Sequence, residues 1–396
     1  MRILIHDFGG HAFTIQLARK LADRGHEIHY AHSASVITPQ GDLNRKDTDS
    51  PSLQLYPIDL GHQIDRTNLR KRRESDIQHG HKVADLVKSI KPEIVLSGNA
   101  TLDPQRIVQE ASHSLGVPFI FWLQDIVGVA AARILKKKLP VVGGFIGAYY
   151  RRLENKLLAQ SNRVVVISED FRPFVPLPAD RVDVVENWAA LDHIPLLSRQ
   201  NEWGEKQGVA ETFNFLYCGT LGMKHNPGLL VAIAEEFRDN PEVRVVVASE
   251  GTSMDWIRER ISEKQLKNMK LLPFQPFADL PKMLASADVV IAILEPDAGV
   301  FSVPSKVLSY HCSGRALLLG LPPENLAAKI VKNAESGLVV LPTDTAKFVE
   351  AAKQLYNDAQ GRARMGGNAR AYAEKTFDIE RVADRFESIF KSALTR

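Results

Sequence analysis

Short apolar runs alternate with longer amphipathic stretches along the whole chain. The short runs predict buried strands, and the stretches between them, such as 12–24 and 76–90, predict helices. This alternation is typical of parallel sheets covered by helices on both faces. The predicted strands lie at 2–6, 26–31, 53–57, 93–97, 117–122, 163–167 and 182–185, and then at 213–217, 243–248, 269–273, 288–293, 315–319 and 337–340.

A polar stretch, 196–211, separates the two series of strands. It predicts two α/β domains, at 1–195 and 205–377, and a last helix within 378–396 that packs back on the first domain. Ligands of doubly wound sheets bind beyond the carboxyl ends of the strands, so we expect the site in a cleft between the two domains.

Composition narrows the class of protein. Of 396 residues, 44% are hydrophobic and 24% charged, as in globular proteins, and a net charge of +3 does not by itself indicate nucleic acid. Cys218 and Cys312 offer no disulfide framework, which fits a reducing cytoplasm. No uninterrupted apolar run is long enough to span a membrane.

Two segments of the second half carry candidate chemistry. The glycine turn, 219–222, follows a strand and precedes Lys224 and a helix. Its glycines let a backbone approach a ligand closely, and the lysine adds a positive charge. The serine–proline turn, 302–305, runs into Lys306 and another helix. Either segment alone is weak evidence for a ligand site, because strand–glycine–helix turns are often only turns and lysines at helix starts are often surface residues. Together the two segments predict a diphosphate site.

Several further segments repeat a known pattern. These are Gly9-Gly10-His11, Gly25-His26-Glu27, Trp122-Leu123-Gln124-Asp125, Val164–Ser168, Glu186-Asn187-Trp188 and Ser286-Ala287-Asp288. With the two turns they cover nearly the whole chain, and the set resembles the retaining glycosyltransferases of family 4. The order of the motifs is most similar to that in the branch of the family that builds bacterial surface polysaccharides, such as colanic acid and O-antigen.

The resemblance implies a GT-B fold, in which two Rossmann-like doubly wound domains face a central cleft. It implies a hexosyltransferase that moves a sugar from a nucleoside diphosphate sugar, with UDP favoured over GDP, to a saccharide that is soluble or linked to a polyprenyl diphosphate. The expected enzyme needs no metal and no cofactor besides its donor, and it works in the cytoplasm or at the cytoplasmic face of the inner membrane.

The resemblance also implies roles for particular residues. Lys224 and Lys306 are the charged partners of the donor diphosphate, and with Asp125 they are the residues expected nearest the chemistry. The nucleotide base is expected against Phe274, which is equally a core candidate. The complete set of expected donor contacts is Gly10, His11, Gly219, Thr220, Gly222, Glu250, Gly251, Phe274, Gln275, Glu295, Ser302, Val303, Pro304, Ser305 and Ser309.

The sequence departs from the family pattern at three positions. Thr220 stands where many members have arginine, so diphosphate binding should depend more on Lys224. Ser309 stands where a glutamate contacts the ribose, and Phe301 where a glutamate lies near the sugar. Glu295 or Asp297, or backbone amides at 299–301, are the available substitutes at that last place.

Candidate acceptor residues follow the strands of the first half. Asp125 comes after an apolar strand and could orient or deprotonate an acceptor hydroxyl, or else cap the next helix. His11 follows the Gly9-Gly10 turn and is either a ligand of acceptor or donor, or a structural histidine. Asn99 and Asp103 line an acceptor pocket or form a plain turn.

Two basic segments raise the question of a membrane. The polar segment 61–80 contains Arg70-Lys71-Arg72-Arg73 and is either a solvated loop or a basic lip that faces anionic lipid. Lys136-Lys137-Lys138, the apolar stretch 139–150 and Arg151-Arg152 form either an internal helix with solvated ends or an element that contacts the inner membrane through 136–152.

Two alternative functions stay open. A nucleotide-sugar epimerase shares the two-domain architecture but needs more acid–base residues than the sequence offers. A catalytically idle relative that binds nucleotide and serves as an assembly partner would explain the missing glutamates at Phe301 and Ser309.

Overall fold

A computed structural model describes residues 1–36, 40–65, 68–126, 128, 142–222, 225–296 and 304–395. The chain divides into two compact units. The first comprises Met1–Asn187 with Ile379–Arg396, and the second comprises Trp188–Asp378.

The first unit contains a seven-stranded parallel sheet in the order β3-β2-β1-β4-β5-β6-β7. Its apolar strands are buried on both faces, as expected for a sheet covered by helices. The strands are β1 (Arg2–Asp7), β2 (Glu27–Ser33), β3 (Leu53–Ile58), β4 (Ile94–Gly98), β5 (Phe119–Leu123), β6 (Arg163–Val166) and β7 (Val182–Val184). The helices before the second unit are α1 (Ala12–Asp23), α2 (Leu69–Ile90), α3 (Leu102–Ser114) and α4 (Val142–Gln160).

The second unit contains a six-stranded parallel sheet in the order β10-β9-β8-β11-β12-β13. Its strands are β8 (Phe213–Cys218), β9 (Val243–Ala248), β10 (Met269–Leu272), β11 (Val289–Ile293), β12 (Ala316–Gly320) and β13 (Gly337–Val340). Its helices are α5 (Glu202–Lys206), α6 (Gly228–Glu236), α7 (Thr252–Lys264), α8 (Leu280–Ala285), α9 (Lys306–Cys312), α10 (Leu326–Asn333), α11 (Thr345–Asn357) and α12 (Ala359–Thr376). The C-terminal helix of the chain, α13 (Ile379–Leu394), belongs to the first unit.

The direction of winding reverses once in each sheet. In the first sheet Ile3 of β1 pairs with Ile28 on one side and Ile94 on the other, so the reversal lies between β1 and β4. In the second sheet it lies between β8 and β11. These two points, at the carboxyl ends of the strands, are where doubly wound sheets bind ligands.

The predicted doubly wound fold is confirmed, and all predicted strands are present to within two residues at each end. The predicted helix 76–90 is too short, because α2 begins at Leu69 and makes much of the polar segment 61–80 helical. Asn68 caps this extension by accepting hydrogen bonds from the backbone N–H groups of Arg70 and Lys71. The Arg70–Glu74 ion pair adds support one turn along the helix.

The boundary between the units falls at Asn187 and Trp188, earlier than the expected polar stretch. The following segment packs on the second unit. Arg199 pairs with Asp288, with 2.9 Å between Nε and Oδ1, and Arg370 donates to the carbonyl of Ile194. These contacts attach residues after 187 to the second sheet and its helices.

Helix α13 packs against the N-terminal part of the first unit. The Phe386 ring is fully buried and meets the Trp122 ring edge-on, with 4.9 Å between centroids. At the rim, Arg24 of the turn after α1 pairs with Glu380 and Asp384, and His26 pairs with Glu387. The aromatic contact is the larger stabilising term, because exposed ion pairs contribute about 1 kcal/mol or less.

We expect Phe386→Ala to destabilise the first unit by about 3–5 kcal/mol, because it removes a buried aromatic ring and leaves a cavity. Urea denaturation measures the change. Leu394→Ala is the control on the same helix, since Leu394 is 42% exposed and its truncation should change stability by about 0.5 kcal/mol or less. Equal effects of the two substitutions would contradict the packing role of α13.

Candidate functional site

The glycine turn lies at the reversal point of the second sheet, directly after β8. Gly219 has φ of 102°, which a side chain would strain. A Cβ atom there would also lie 3.4 Å from Cε and Nζ of Lys306. The backbone conformation is therefore what requires glycine here, and Lys306 lies in contact distance of it.

Lys306 is the cation of the site. Its Nζ lies 3.6 Å from the centre of the Tyr217 ring and 3.4 Å from the carbonyl oxygen of Thr220. A cation–π contact and one carbonyl are weak partners for an ammonium group. Within the described ranges, no carboxylate forms an ion pair with Lys306.

Burial lowers the pKa of Lys306 to about 7, while Cys218 acts in the opposite direction. The protonated form therefore lacks the compensation that a neighbouring anion provides. An anion that binds beside Nζ would supply it and would raise this pKa again.

Tyr310 fixes the position of α9, which carries Lys306. Its buried hydroxyl accepts from the backbone N–H of Cys218 at 3.2 Å and donates to the carbonyl of Ile291 at 3.1 Å. Tyr310 thus ties the end of β8 and the middle of β11 to α9. The sequence predicted two separate turns, and the structure brings Gly219 and Thr220 together with Lys306.

Other predicted donor contacts lie around this edge of the sheet. Gly222 donates its N–H to Nδ1 of His225 at 2.8 Å. Glu250 is exposed at the end of β9, and Gly251, with φ of 111°, precedes α7. Glu295 is half-buried after β11.

The remaining predicted donor contacts differ in their exposure and in their hydrogen bonds. Phe274 is half-buried, neither fully in the core nor free. The Gln275 side chain is occupied, since its Oε1 accepts from Nε1 of Trp203 at 3.1 Å and its Nε2 donates to the carbonyl of Pro273 at 2.9 Å. Ser305 is exposed, while Pro304 and Ser309 are half-buried.

Some predictions fall outside the described residues. These are Lys224, Asp297, the 299–301 amides, Phe301, Ser302, Val303 and the first six residues, 136–141, of the predicted membrane segment 136–152. Lys306 is therefore the one predicted diphosphate-binding lysine whose surroundings the structure describes.

In the first unit, the end of β1 carries a buried carboxylate that the sequence reasoning missed. Asp7 accepts hydrogen bonds from the N–H of His11 at 2.6 Å, from Nδ1 of His11 at 3.1 Å and from the Tyr30 hydroxyl at 2.9 Å, and also from Thr14. No sequence motif marks it, because its partners come from three elements. Asp7 holds the His11 ring with Nδ1 facing inward.

The charges around His11 reinforce this arrangement. Burial alone would raise the pKa of Asp7, but His11 and the hydrogen bonds hold it well below its usual range. Burial alone would lower the pKa of His11, but Asp7 and then Asp125 raise it. Asp125 is exposed and lies close enough to His11 to contribute. The structure thus brings His11 and Asp125 together beside the Gly9-Gly10 turn, where Gly10 has φ of 66°.

Asp103, predicted to line an acceptor pocket or form a plain turn, lies in a helix and forms an ion pair with Arg73. Its carboxylate receives two hydrogen bonds from Arg73, at 2.8 and 3.3 Å, and it lies in the first turn of α3. Asn99 has φ of 54° and precedes that helix. Its Nδ2 is buried without a hydrogen-bond partner.

Metal binding and membrane insertion concern the wider chemistry of the chain. Across the described ranges, no cluster of histidine, cysteine, aspartate and glutamate has the arrangement of a metal site. None of the helices that the structure describes is long and apolar enough to cross a lipid bilayer. Cys218 and Cys312 are both buried free thiols.

Comparison with solved structures identifies the fold. HepE of Anabaena, solved in complex with UDP and glucose, matches with a TM-score of 0.73 and 15% identity over 99% of this chain and 100% of that chain. The protein therefore has the GT-B fold.

Sequence comparison relates the second unit to a known family. The model of the glycosyl transferases group 1 matches residues 199–372, which lie within the second unit. This part of the chain is therefore similar to the glycosyl transferases group 1, and it contains the glycine turn and Lys306.

The similar curated proteins are distant. An alpha-D-kanosaminyltransferase of Streptomyces kanamyceticus is 21% identical over 56% of this chain and 57% of its own length. WcaI, described as a colanic acid biosynthesis glycosyl transferase of Escherichia coli, is 23% identical over 43% of this chain and 41% of its own length. The chain thus spans about half the length of these relatives.

We expect Lys306→Met to stabilise the second unit, and more so at about pH 6 than at about pH 9. The pKa of Lys306 is lower in the folded protein than in the unfolded chain, so the unfolded chain binds the proton more readily between these two values. The lysine therefore destabilises the protein most below about pH 7, and the penalty shrinks as the pH rises. Urea denaturation at both pH values measures the difference.

The control is Lys267→Met, since Lys267 is exposed in the same unit. It should change the free energy of unfolding little and equally at the two pH values. A pH-independent effect of Lys306→Met would show that the folded protein does not disfavour the ammonium form.

Proposed function

We propose that the protein is a retaining glycosyltransferase that moves a hexose from a nucleoside diphosphate sugar to a saccharide acceptor. The observation that carries the proposal is Lys306. It is a partly desolvated cation held over Tyr217 at the reversal point of the second sheet, and none of the described carboxylates forms an ion pair with it. A site of this kind favours an anion such as a diphosphate.

The chemistry follows from where charge develops. When the bond between the sugar and the diphosphate breaks, the departing diphosphate gains negative charge. The N–H groups of Gly219 and Gly222 already donate to Ala248 and His225. Lys306 and the N–H groups of Thr220 and Leu221 are in place beforehand, so they would stabilise that charge without rearrangement. We propose that these groups perform the neutralisation that a divalent cation performs in other transferases.

The first unit would bind the acceptor. Asp125 is exposed beside His11 and would orient the acceptor hydroxyl, while the leaving phosphate takes its proton on the same face of the sugar. His11, held by Asp7, would present Nε2 to the acceptor. UDP is the first donor nucleotide to test, because HepE is described in complex with UDP and glucose.

We expect one nucleoside diphosphate to raise the melting temperature of the purified protein, and Lys306→Met to lose the shift. A ligand that binds only the folded state stabilises it according to its concentration relative to its Kd. Loss of a charge-assisted hydrogen bond should weaken binding by about tenfold or more. The panel is UDP, GDP, ADP and the corresponding glucose and mannose derivatives. Lys267→Met is the matched control. A parallel series with EDTA measures the same shifts without free divalent cations.

Turnover separates the alternatives. Release of nucleoside diphosphate only when a bacterial lipid extract is added supports transfer. Interconversion of the donor sugar without acceptor would support an epimerase, and binding without any turnover would support an idle relative. The absence of a shift with every nucleotide would remove the basis of the transferase proposal.

We also propose that one face of the first unit contacts an anionic membrane, which would place the acceptor reaction at its cytoplasmic surface. Leu69, Phe145 and Tyr149 are 66%, 78% and 49% exposed. Arg73 lies close enough to Tyr149 and Tyr150 for an electrostatic interaction, so the start of α2 lies near α4. Apolar side chains among exposed arginines suit a headgroup region.

We expect the protein to sediment with vesicles of equal parts phosphatidylcholine and phosphatidylglycerol, and not with phosphatidylcholine alone. Arg151→Ala with Arg152→Ala should lower the partition coefficient by about tenfold or more, because each basic residue near the surface contributes about 1 kcal/mol. Phe145→Ser should also weaken binding. Leu341→Ser, at a 50% exposed leucine of the second unit, is the control, and an equal effect there would contradict this face.

A further inference from the structure

Two side-chain amides meet at the carboxyl edge of the first sheet. Gln124 directly follows β5, and Asn187 follows β7 by three residues. Nδ2 of Asn187 donates a hydrogen bond to Oε1 of Gln124 at 2.5 Å. Nε2 of Gln124 and Oδ1 of Asn187 are buried, and neither has a hydrogen-bond partner among the residues that the structure describes.

The chemistry of this pair does not depend on how the amides are oriented. If both amides were rotated by half a turn, nitrogen and oxygen would exchange roles on both residues. One NH₂ group and one oxygen would still be without a partner. The pair therefore offers one donor and one acceptor together, in either orientation.

A donor beside an acceptor selects the kind of group that fits. A phosphate or carboxylate oxygen accepts hydrogen bonds but cannot donate to the free oxygen. An ammonium group donates but cannot accept from the free NH₂ group. A hydroxyl does both at once. Gln124 is 9% exposed, so only a small part of its side chain is open to a ligand.

The neighbourhood agrees with a saccharide. Asp125 is adjacent in the chain to Gln124 and is exposed. Glu186 is adjacent to Asn187, and burial raises the pKa of its carboxyl group. The edge that carries these residues is the carboxyl edge, where parallel sheets bind ligands.

We propose that Gln124 and Asn187 form a hydroxyl-binding subsite for the acceptor saccharide, in which one sugar hydroxyl accepts from the free NH₂ group and donates to the free amide oxygen. This inference rests on the proposed function, since it assigns the acceptor to the first unit. Buried polar groups left unpaired are costly, so the subsite also discriminates against a sugar that lacks this hydroxyl.

The probes are the methyl glycosides of glucose, galactose, mannose, fucose and N-acetylglucosamine, with the monodeoxy analogues of whichever binds. Saturation-transfer NMR on the full chain measures their affinity, with and without the nucleoside diphosphate that gives the largest thermal shift. We expect one glycoside to bind and one of its monodeoxy analogues to bind about tenfold more weakly.

Gln124→Glu is the most informative variant. Its carboxylate can still accept from Nδ2 of Asn187, so the observed hydrogen bond is retained, but the free NH₂ group is lost. Gln124→Met and Asn187→Leu remove each amide with little change of shape, and thermal unfolding checks that each variant folds. Gln78→Glu, at an exposed position of α2, is the matched control.

We expect Gln124→Glu to bind the glycoside more weakly and to bind the glycoside and its deoxy analogue equally well. Its thermal shift with nucleotide should be unchanged. Gln78→Glu should behave as the original protein. Unchanged discrimination in Gln124→Glu, or no glycoside binding by a protein that still binds nucleotide, would overturn the subsite while leaving the donor site in place. Failure of the proposed function differs, since it shows as the loss of every nucleotide shift in the original protein.

Discussion

The parallel pairing of every strand in both sheets is the constraint on which the rest of the structure depends. Parallel neighbours need a crossover connection, so all carboxyl ends of one sheet meet at one edge, and the loops that follow them are brought together there. In the second unit this edge collects the glycine turn after β8 and the helix that carries Lys306. In the first unit it collects Asp7, His11 and Asp125, although they lie on two separate strand ends.

Much of this arrangement was predictable from local patterns. The strands are short apolar runs between amphipathic stretches, and all of them lie where the pattern predicted. Gly219 and Lys306 were predictable as separate features, because each stands in a recognisable turn. The start of α2 was not, because a run of cations looks like a loop until the Asn68 cap and the spaced acidic partners are considered.

The contacts that could not be predicted from the sequence join residues that only the fold brings together. Lys306 and Tyr217 are far apart in the chain, and so are Gln124 and Asn187. Asp7 is an ordinary strand residue in the sequence and becomes the centre of a hydrogen-bond network only when Thr14 and Tyr30 surround it. A single sequence contains the members of these pairs but not the register that joins them.

The place of α13 has a consequence for how the protein is made. The second unit is one continuous segment, Trp188–Asp378, whereas the first unit needs residues from both ends of the chain. A ribosome releases these parts in order, so the second unit can complete its core while the polypeptide is still growing. The first unit has to keep the surface around Trp122 uncovered until the last helix emerges. Until that helix is made, the nascent first unit therefore leaves the apolar surface around Trp122 exposed.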